Sequence, residues 1–263
     1  MSGVKGQDRV IIDGAHGEGG GQILRAALSL SAITGRPLRI ERIRSARRIP
    51  VLAAQHLTAL RAAAAICSAQ LSGDTLGSTC VEFAPEGPVV AGNYVFDVSL
   101  AREGGSAGAV TLVLQTILLP LAFAAGDSRV ELHGGTHMAW SPPFDYVRDV
   151  WLPALARISI EASVELAAWG WYPVGKGEMR AHIRGLGARS ATLRVLELEE
   201  RGPLLRILGG RSRPIYRHIF RSVWLTAHDP CWQSSASICA SSHCVCAPPA
   251  LAPVYFSLPS TQT

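Results

Sequence analysis

The sequence predicts an α+β fold built of stacked units, each with its helices on one face of a sheet. Three observations predict it. Apolar residues make up 48% of the chain against 17% charged, a balance that folds rather than stays disordered. At 263 residues the chain is long enough to bury a core without disulfide or metal support, in one large domain or two smaller ones. Short β-branched runs and longer stretches of helical period then follow one another in the order β-α-β-α-β-β, with a further α-β behind.

In chain order, Val10 to Ile12 is a β-branched run closed by Asp13-Gly14, a strand and turn. After Gly17 to Gly21, the apolar residues Ile23, Leu24, Ala27, Leu28, Leu30 and Ile33 recur at helical spacing, and Gly35 stops the helix. Leu38 to Ile43 alternates apolar and charged side chains, as a half-buried strand does. An Arg-rich turn ends at Pro50, and Val51 to Ala69 is an alanine-rich helix. Strands are expected at Ser78–Phe83 and Tyr94–Val98, and a long apolar helix from Gly108. Val130 to His133 is a strand, Asp145 to Ile158 a helix and Ile160 to Ala167 a strand.

Charge and cysteine usage narrow the setting. The net charge is +5, and all but two of the 25 basic residues are arginines, the exceptions being Lys5 and Lys176. Arginine is the better fork for phosphate, although codon usage accounts for more of such a bias. The stretch Ala107 to Gly126 carries no charge, about the length of a membrane span. Thr111, Gln115, Thr116 and Pro120 and the lack of basic flanks make it a buried core helix instead, so no membrane partner is expected. Met1 to Arg9 is polar and reads as no signal peptide, which favours a cytoplasmic, reducing location. Cys67 and Cys80 lie in apolar contexts and are expected as buried thiols.

The composition breaks near residue 222. The first 221 residues hold 23 arginines, and the last 42 hold neither Arg nor Lys but eight Ser, five Pro and four Cys. That tail reads as a disordered extension, a metal-binding knuckle or the product of a shifted reading frame. The third explains the abrupt break best. Cys231, Cys239, Cys244 and Cys246, with His243, lack the paired spacing of a zinc site.

Two segments are candidate anion sites. Gly17-Glu18-Gly19-Gly20-Gly21 joins a strand to a helix, where free backbone N–H groups attract phosphate and Glu18 could hold Mg²⁺. A plain tight turn with an acid suited to the helix dipole is the other reading. Arg39, Arg42, Arg44, Arg47 and Arg48 put five arginines in ten residues, a phosphate-reading patch or a solvated face. Arg201 to Arg221 is a second acid-poor basic stretch. Gly170 to Lys176 imitates a Walker A loop but continues with Gly177 where Ser or Thr would bind Mg²⁺. Gly104-Gly105-Ser106-Ala107-Gly108 has the form of a nucleophile elbow, with Asp145 and His182 following in hydrolase order. A serine hydrolase using Ser106 is therefore an alternative function, although Ala101-Arg102-Glu103 stands where a buried strand should run.

Taken together, the segments resemble the RNA 3′-terminal phosphate cyclase family. The resemblance is carried by Asp13-Gly14-Ala15-His16-Gly17-Glu18-Gly19-Gly20-Gly21-Gln22-Ile23-Leu24-Arg25, Ile33-Thr34-Gly35, Ile43-Arg44 and Arg47, and Gln55-His56-Leu57-Thr58-Ala59. It continues through Gly105-Ser106-Ala107-Gly108, Thr111 to Thr116, Gly134-Gly135-Thr136, Trp140 to Tyr146 and Gly170-Trp171-Tyr172-Pro173. These motifs are long and collinear and cover about residues 8–221.

The resemblance implies repeated βαβαββ units like the C-terminal domain of translation initiation factor 3, with a small α+β domain inserted. On this reading residues 1–185 are the ATP-binding half, 186–221 begin the inserted domain, and 222–263 are an atypical tail, so that the fold is incomplete at the C-terminus. It implies ATP-dependent conversion of an RNA 3′-phosphate to a 2′,3′-cyclic phosphodiester through enzyme–AMP and RNA–adenylate intermediates. By position, Glu18 would bind Mg²⁺ or Mn²⁺. Arg25, Arg44, Arg47 and Gln55 would face phosphates, and Gln115 would contact ATP. RNA with a 3′-phosphate end is the implied partner, and a dimer is compatible with the sequence. The family's AMP-accepting histidine lies in a C-terminal His-x-Ala-Asp-Gln-like stretch, and these 263 residues contain none, so no catalytic residue is assigned. A non-catalytic RNA-binding relative is the other alternative. Smaller departures are Val51 where glycine is usual after Pro50, Arg102-Glu103 as an extra pair, and Lys176 inside a usual triple glycine.

Overall fold

The computed structural model describes residues 9–187 and 193–199. The chain divides into a unit spanning Met1–Leu196 and another spanning Glu197–Thr263, and the first is described here. The basic stretch from Arg201 to Arg221, most of the expected inserted domain and the Cys-rich tail lie outside the described residues.

The unit is a mixed α/β structure with two four-stranded sheets. In the first, β1 (Val10–Asp13) runs parallel to β2 (Leu38–Glu41), β2 pairs antiparallel with β4 (Val81–Ala84), and β4 pairs antiparallel with β3 (Gln70–Ser72). Helices α1 (Gly21–Thr34) and α2 (Ala54–Cys67) connect these strands. In the second, β5 (Asn93–Asp97) is parallel to β6 (Ser128–Gly134), β6 is antiparallel to β8 (Gly177–Ile183), and β8 is antiparallel to β7 (Ala162–Ala168). Helix α3 (Val110–Ala122) and a helical run from Phe144 to Arg157 connect them. The strand orders β1-β2-β4-β3 and β5-β6-β8-β7 are the same connectivity.

Alternation decides which sheet face meets the helices. Leu38, Ile40, Val81 and Phe83 are buried, while Arg39, Glu41 and Glu82 stand on the other side. The same pattern puts Val130, Leu132, Met179, Ala181 and Ile183 inside. Helix α2 lies between the two cores. Its Leu57, Leu60, Ala63 and Cys67 join the first cluster, and its Ala54, Ala59, Ala62 and Ile66 join the second. Alanine suits this place because a small side chain lets α1 and α3 approach from both sides. Helix α3, the uncharged stretch, is buried on nearly every face, and no described helix is long and apolar enough to cross a membrane.

Several boundaries moved for local reasons. The β2 strand stops at Glu41, because Arg42 adopts a positive φ of 51°. The second helix starts at Ala54, not Val51: Leu52 donates its N–H to Ser78 O at 2.9 Å instead of entering a helix. Ser78 and Thr79 carbonyls accept from Leu52 and Ile43, so the strand expected from Ser78 begins at Val81. The single helix expected from Asp145 is α4 (Phe144–Tyr146), a π-helical turn (Val147–Trp151) and α5 (Leu152–Arg157). Pro153 brings no N–H to that ladder, which shifts its register. Strands β3 and β8 were not anticipated. Cys67 is buried, with its thiol pushed up to about 11 by burial, but Cys80 is only half-buried.

Candidate functional site

The site forms where α1 and α2 begin. Neither helix has a side-chain cap or an acid in its first turn, and the same holds for α3. Uncapped first turns leave N–H groups without intrahelical partners and put the positive end of each helix dipole there. Glycines line the approach to α1, and a Cβ on Gly20 would come within 2.7 Å of Arg47 Nη2.

Arg25 lies one turn into α1. Its Nε donates to Gln115 Oε1 at 3.0 Å and its Nη2 to Gln22 Oε1 at 2.8 Å. Both partners are neutral, and among the described residues no carboxylate pairs with this half-buried guanidinium. Burial lowers its pKa to about 10. Arg44, at φ 56°, donates Nη1 to Val51 O at 2.8 Å. Burial, then the neighbouring Arg47, lowers its pKa below the usual arginine value. Arg47 is exposed and lies 3.2 Å from Glu18 Oε2, on a carboxylate whose side chain is 91% exposed. Gln55, in the first turn of α2, accepts the Ala109 N–H at 3.0 Å and so ties α2 to the start of α3.

Of the five clustered arginines, the structure brings only Arg44 and Arg47 to this place. Arg39 bonds Glu41 at 2.8 Å and Glu82 at 2.9 Å on the open sheet face, Arg42 pairs with Asp13, and Arg48 is exposed. The face-or-patch question therefore resolves residue by residue. His56 was not singled out. It follows Gln55 in α2, is 4% exposed, and its ring lies against Gly21. The only sequence signal was a lone histidine inside the Gln55–Ala59 stretch.

Two under-coordinated guanidinium groups beside uncapped helix ends can hold several anionic oxygens at once. Glu18 suits a hard divalent ion only as one ligand among phosphate oxygens and water, because a single exposed carboxylate already facing Arg47 is a weak cage by itself.

The hydrolase constellation is not assembled. Ser106 Oγ accepts the Gly108 N–H at 3.2 Å, Asp145 Oδ2 faces His137 Nε2 at 3.1 Å, and His182 faces Asp127 at 3.8 Å. No strand leads into Ser106, since β5 ends at Asp97. His137 is a structural hub instead. Its Nδ1 meets Thr136 Oγ1 at 2.8 Å, and its ring stacks on Trp169 and Trp171 with centroids 4.6 and 4.9 Å away. Burial lowers its pKa, against an opposing pull from Asp145. Glu131, His133 and Glu178 bring their ligand atoms within 4.8 Å of one another on the second sheet. His133 Nε2 is already 2.7 Å from Glu131 within β6, Arg180 is 2.5 Å from Glu178 within β8, and Arg180 Nε lies 3.8 Å from Glu131 across the two strands, so these groups are partners of one another.

Comparison with known proteins gives one answer. The profile of the RNA 3′-terminal phosphate cyclase family matches residues 16–247. A protein named RNA 3′-terminal phosphate cyclase from Trichormus variabilis is 60% identical over 198 residues, which is 75% of this chain and 56% of that protein. Proteins of the same name are 59% identical in Methylococcus capsulatus, over 75% of this chain and 54% of that protein, and 49% identical in Salmonella typhimurium, over 75% and 55%. The chain thus spans about half the length of the curated relatives it matches.

Proposed function

This chain belongs to the RNA 3′-terminal phosphate cyclase family, and from that membership we propose that it carries the ATP-phosphate half of an enzyme converting RNA 3′-phosphates to 2′,3′-cyclic phosphodiesters. In that reaction a histidine attacks the α-phosphorus of ATP and releases pyrophosphate. The RNA 3′-phosphate then takes the AMP and frees the histidine. The adjacent 2′-OH attacks the 3′-phosphorus, expels AMP and loses its proton. Adenylation makes a poor leaving group a good one, and the covalent intermediate divides the barrier.

The observation that carries this reading is Arg25. A guanidinium drawn out of water costs free energy unless an anion joins it, and its protein partners are two amide oxygens. A triphosphate supplies the missing charge. Arg44 and Arg47 would take further oxygens, Gln55 and the N-terminus of α1 would orient them, and Gln115 would hold Arg25 in place while contacting ATP. Glu18 would share Mg²⁺ or Mn²⁺ with the phosphates, and the ion would screen their charge. The two sheets of like connectivity are read as two copies of a βαβαββ unit of the kind found in translation initiation factor 3. A cytoplasmic location and an RNA with a 3′-phosphate end complete the proposal.

Calorimetry tests it. The chain should bind Mg²⁺–ATP, and Glu18→Ala should remove most of the magnesium dependence of that binding. No affinity for Mg²⁺–ATP, or an unchanged magnesium dependence in Glu18→Ala, would overturn the reading.

A further inference from the structure

His56 is the side chain of this region to which the reaction above gives no role. It sits in the first turn of α2, 4% exposed, and its Nδ1 is buried without a hydrogen-bond partner. An unpaired buried polar atom costs free energy, so one kept in a fold calls for a reason. The rest of the ring supplies it. A methyl group added to Gly21 would stand 2.3 Å from His56 Nε2 and 3.0 Å from Arg25 Nη1. The imidazole, the first residue of α1 and the Arg25 guanidinium therefore converge on one point. Gly21 has to be glycine there, because any side chain would fill the space the ring and the guanidinium already occupy.

The ring also has an electrostatic fit. Burial first, then the charges of Arg44 and Arg25, hold it neutral, with a pKa near 3. A third cation between those arginines would repel both, and an aliphatic side chain would offer no polar atom toward Gly21. A neutral imidazole is compact and uncharged and still has one donor and one acceptor nitrogen.

We propose that His56 is a positioning residue of the phosphate site: its ring sets the spacing between the first turn of α1 and the Arg25 guanidinium, and presents an uncharged hydrogen-bonding nitrogen between the two. This rests on the phosphate reading of the site. It also gives the Gln55-His56 pair a division of labour. Gln55 fixes the start of α3 through Ala109, and His56 fixes the start of α1.

The test is calorimetry on the full chain with Mg²⁺–ATP and with inorganic tripolyphosphate, alongside thermal unfolding. His56→Leu fills the space without a polar atom. It should weaken both ligands at least tenfold while the thermal midpoint stays level or rises. His56→Gln restores a polar atom at the far end of the side chain and should return affinity to within about threefold of the unaltered chain. Affinity within twofold in His56→Leu, or no recovery in His56→Gln, overturns the proposal. If the unaltered chain binds and Glu18→Ala alters that binding while His56→Leu does not, only the role of His56 falls. If the unaltered chain binds neither ligand, the phosphate reading falls with it. Should His56→Leu fail to fold, ¹⁵N-histidine spectra of the unaltered chain decide. The His56 nitrogen resonances should move when tripolyphosphate is added, and unmoved resonances refute the role.

Discussion

The loop from β1 to α1 and the loop from β5 to α3 hold the same place in two sheets of one connectivity. Before α3, Ser106 Oγ takes the Gly108 N–H, Gln55 Oε1 takes the Ala109 N–H, and Gly135 O takes the Val110 N–H. Before α1 no side chain caps the helix, and its close neighbours are Arg47, His56 and Arg25. At the start of α3 three N–H groups meet acceptors of the protein itself, although that helix too has no side-chain cap. The start of α1 is lined by Arg47, His56 and Arg25, and on the function proposed above it takes an anion from outside. Connectivity therefore does not decide what lines a helix end. The residues that fill the loop do, and here they differ in kind.

The contrast can be broken in order of expected effect. Arg25→Ala removes a half-buried cation at the open end. With charge-assisted bonds worth about 1.5–3 kcal/mol, Mg²⁺–ATP affinity should fall roughly ten- to a hundredfold in calorimetry. Arg184→Ala, which removes an exposed pair with Glu161 in the other half, should leave it unchanged. Equal losses in both variants would dissolve the distinction.

Glycine replacements come next. Gly21→Ala drives a methyl into His56, and Gly170→Ala drives one to 2.2 Å from Gly134 O. Each should cost about 1–3 kcal/mol, as overpacking does, and lower the thermal midpoint. Only Gly21→Ala should also weaken phosphate binding in the protein that remains folded.

The pH response is smaller. His56 and His137 both have pKa values below that of a free histidine, chiefly through burial. The unfolded chain takes up these protons as pH falls below about 6.5, while the folded chain resists, to near pH 3 for His56. Stability is thus complete above that range and is lost as pH falls through it, by up to about 1.4 kcal/mol per pH unit for each histidine. Thermal midpoints from pH 7.5 to 5 should drop, and His56→Leu should flatten the slope. A flat profile in the unaltered chain would contradict the burial of both rings.

The smallest effect belongs to Lys176, a side-chain-bearing residue held at φ 54°. A left-handed conformation costs a side-chain-bearing residue about 1 kcal/mol, so Lys176→Gly should raise the thermal midpoint slightly without changing nucleotide binding.

Much of this was legible from residue order. Val10 to Gly35 reads directly as strand, glycine turn and stopped helix, because alternation, helical period and turn chemistry are local. Strand β8 carries the same alternation, but its buried positions include Gly177 and Ala181, which mute the apolar signal. Strand β3 is three residues long and half exposed, too short for any period. The π-helical turn before Pro153 depends on how one carbonyl ladder settles, which spacing does not record.

By itself the sequence determined the mixed helix-and-strand order, the glycine-rich start of α1 and the family to which the chain belongs. Each is written in neighbouring residues. Only the tertiary structure decided that Arg39 and Arg42 meet carboxylates while Arg25 and Arg44 meet none among the described residues, and that His56 lies beneath Gly21. Which charge finds a partner depends on strands and helices distant in the chain, and a buried ring acquires its chemistry from whatever the fold packs around it.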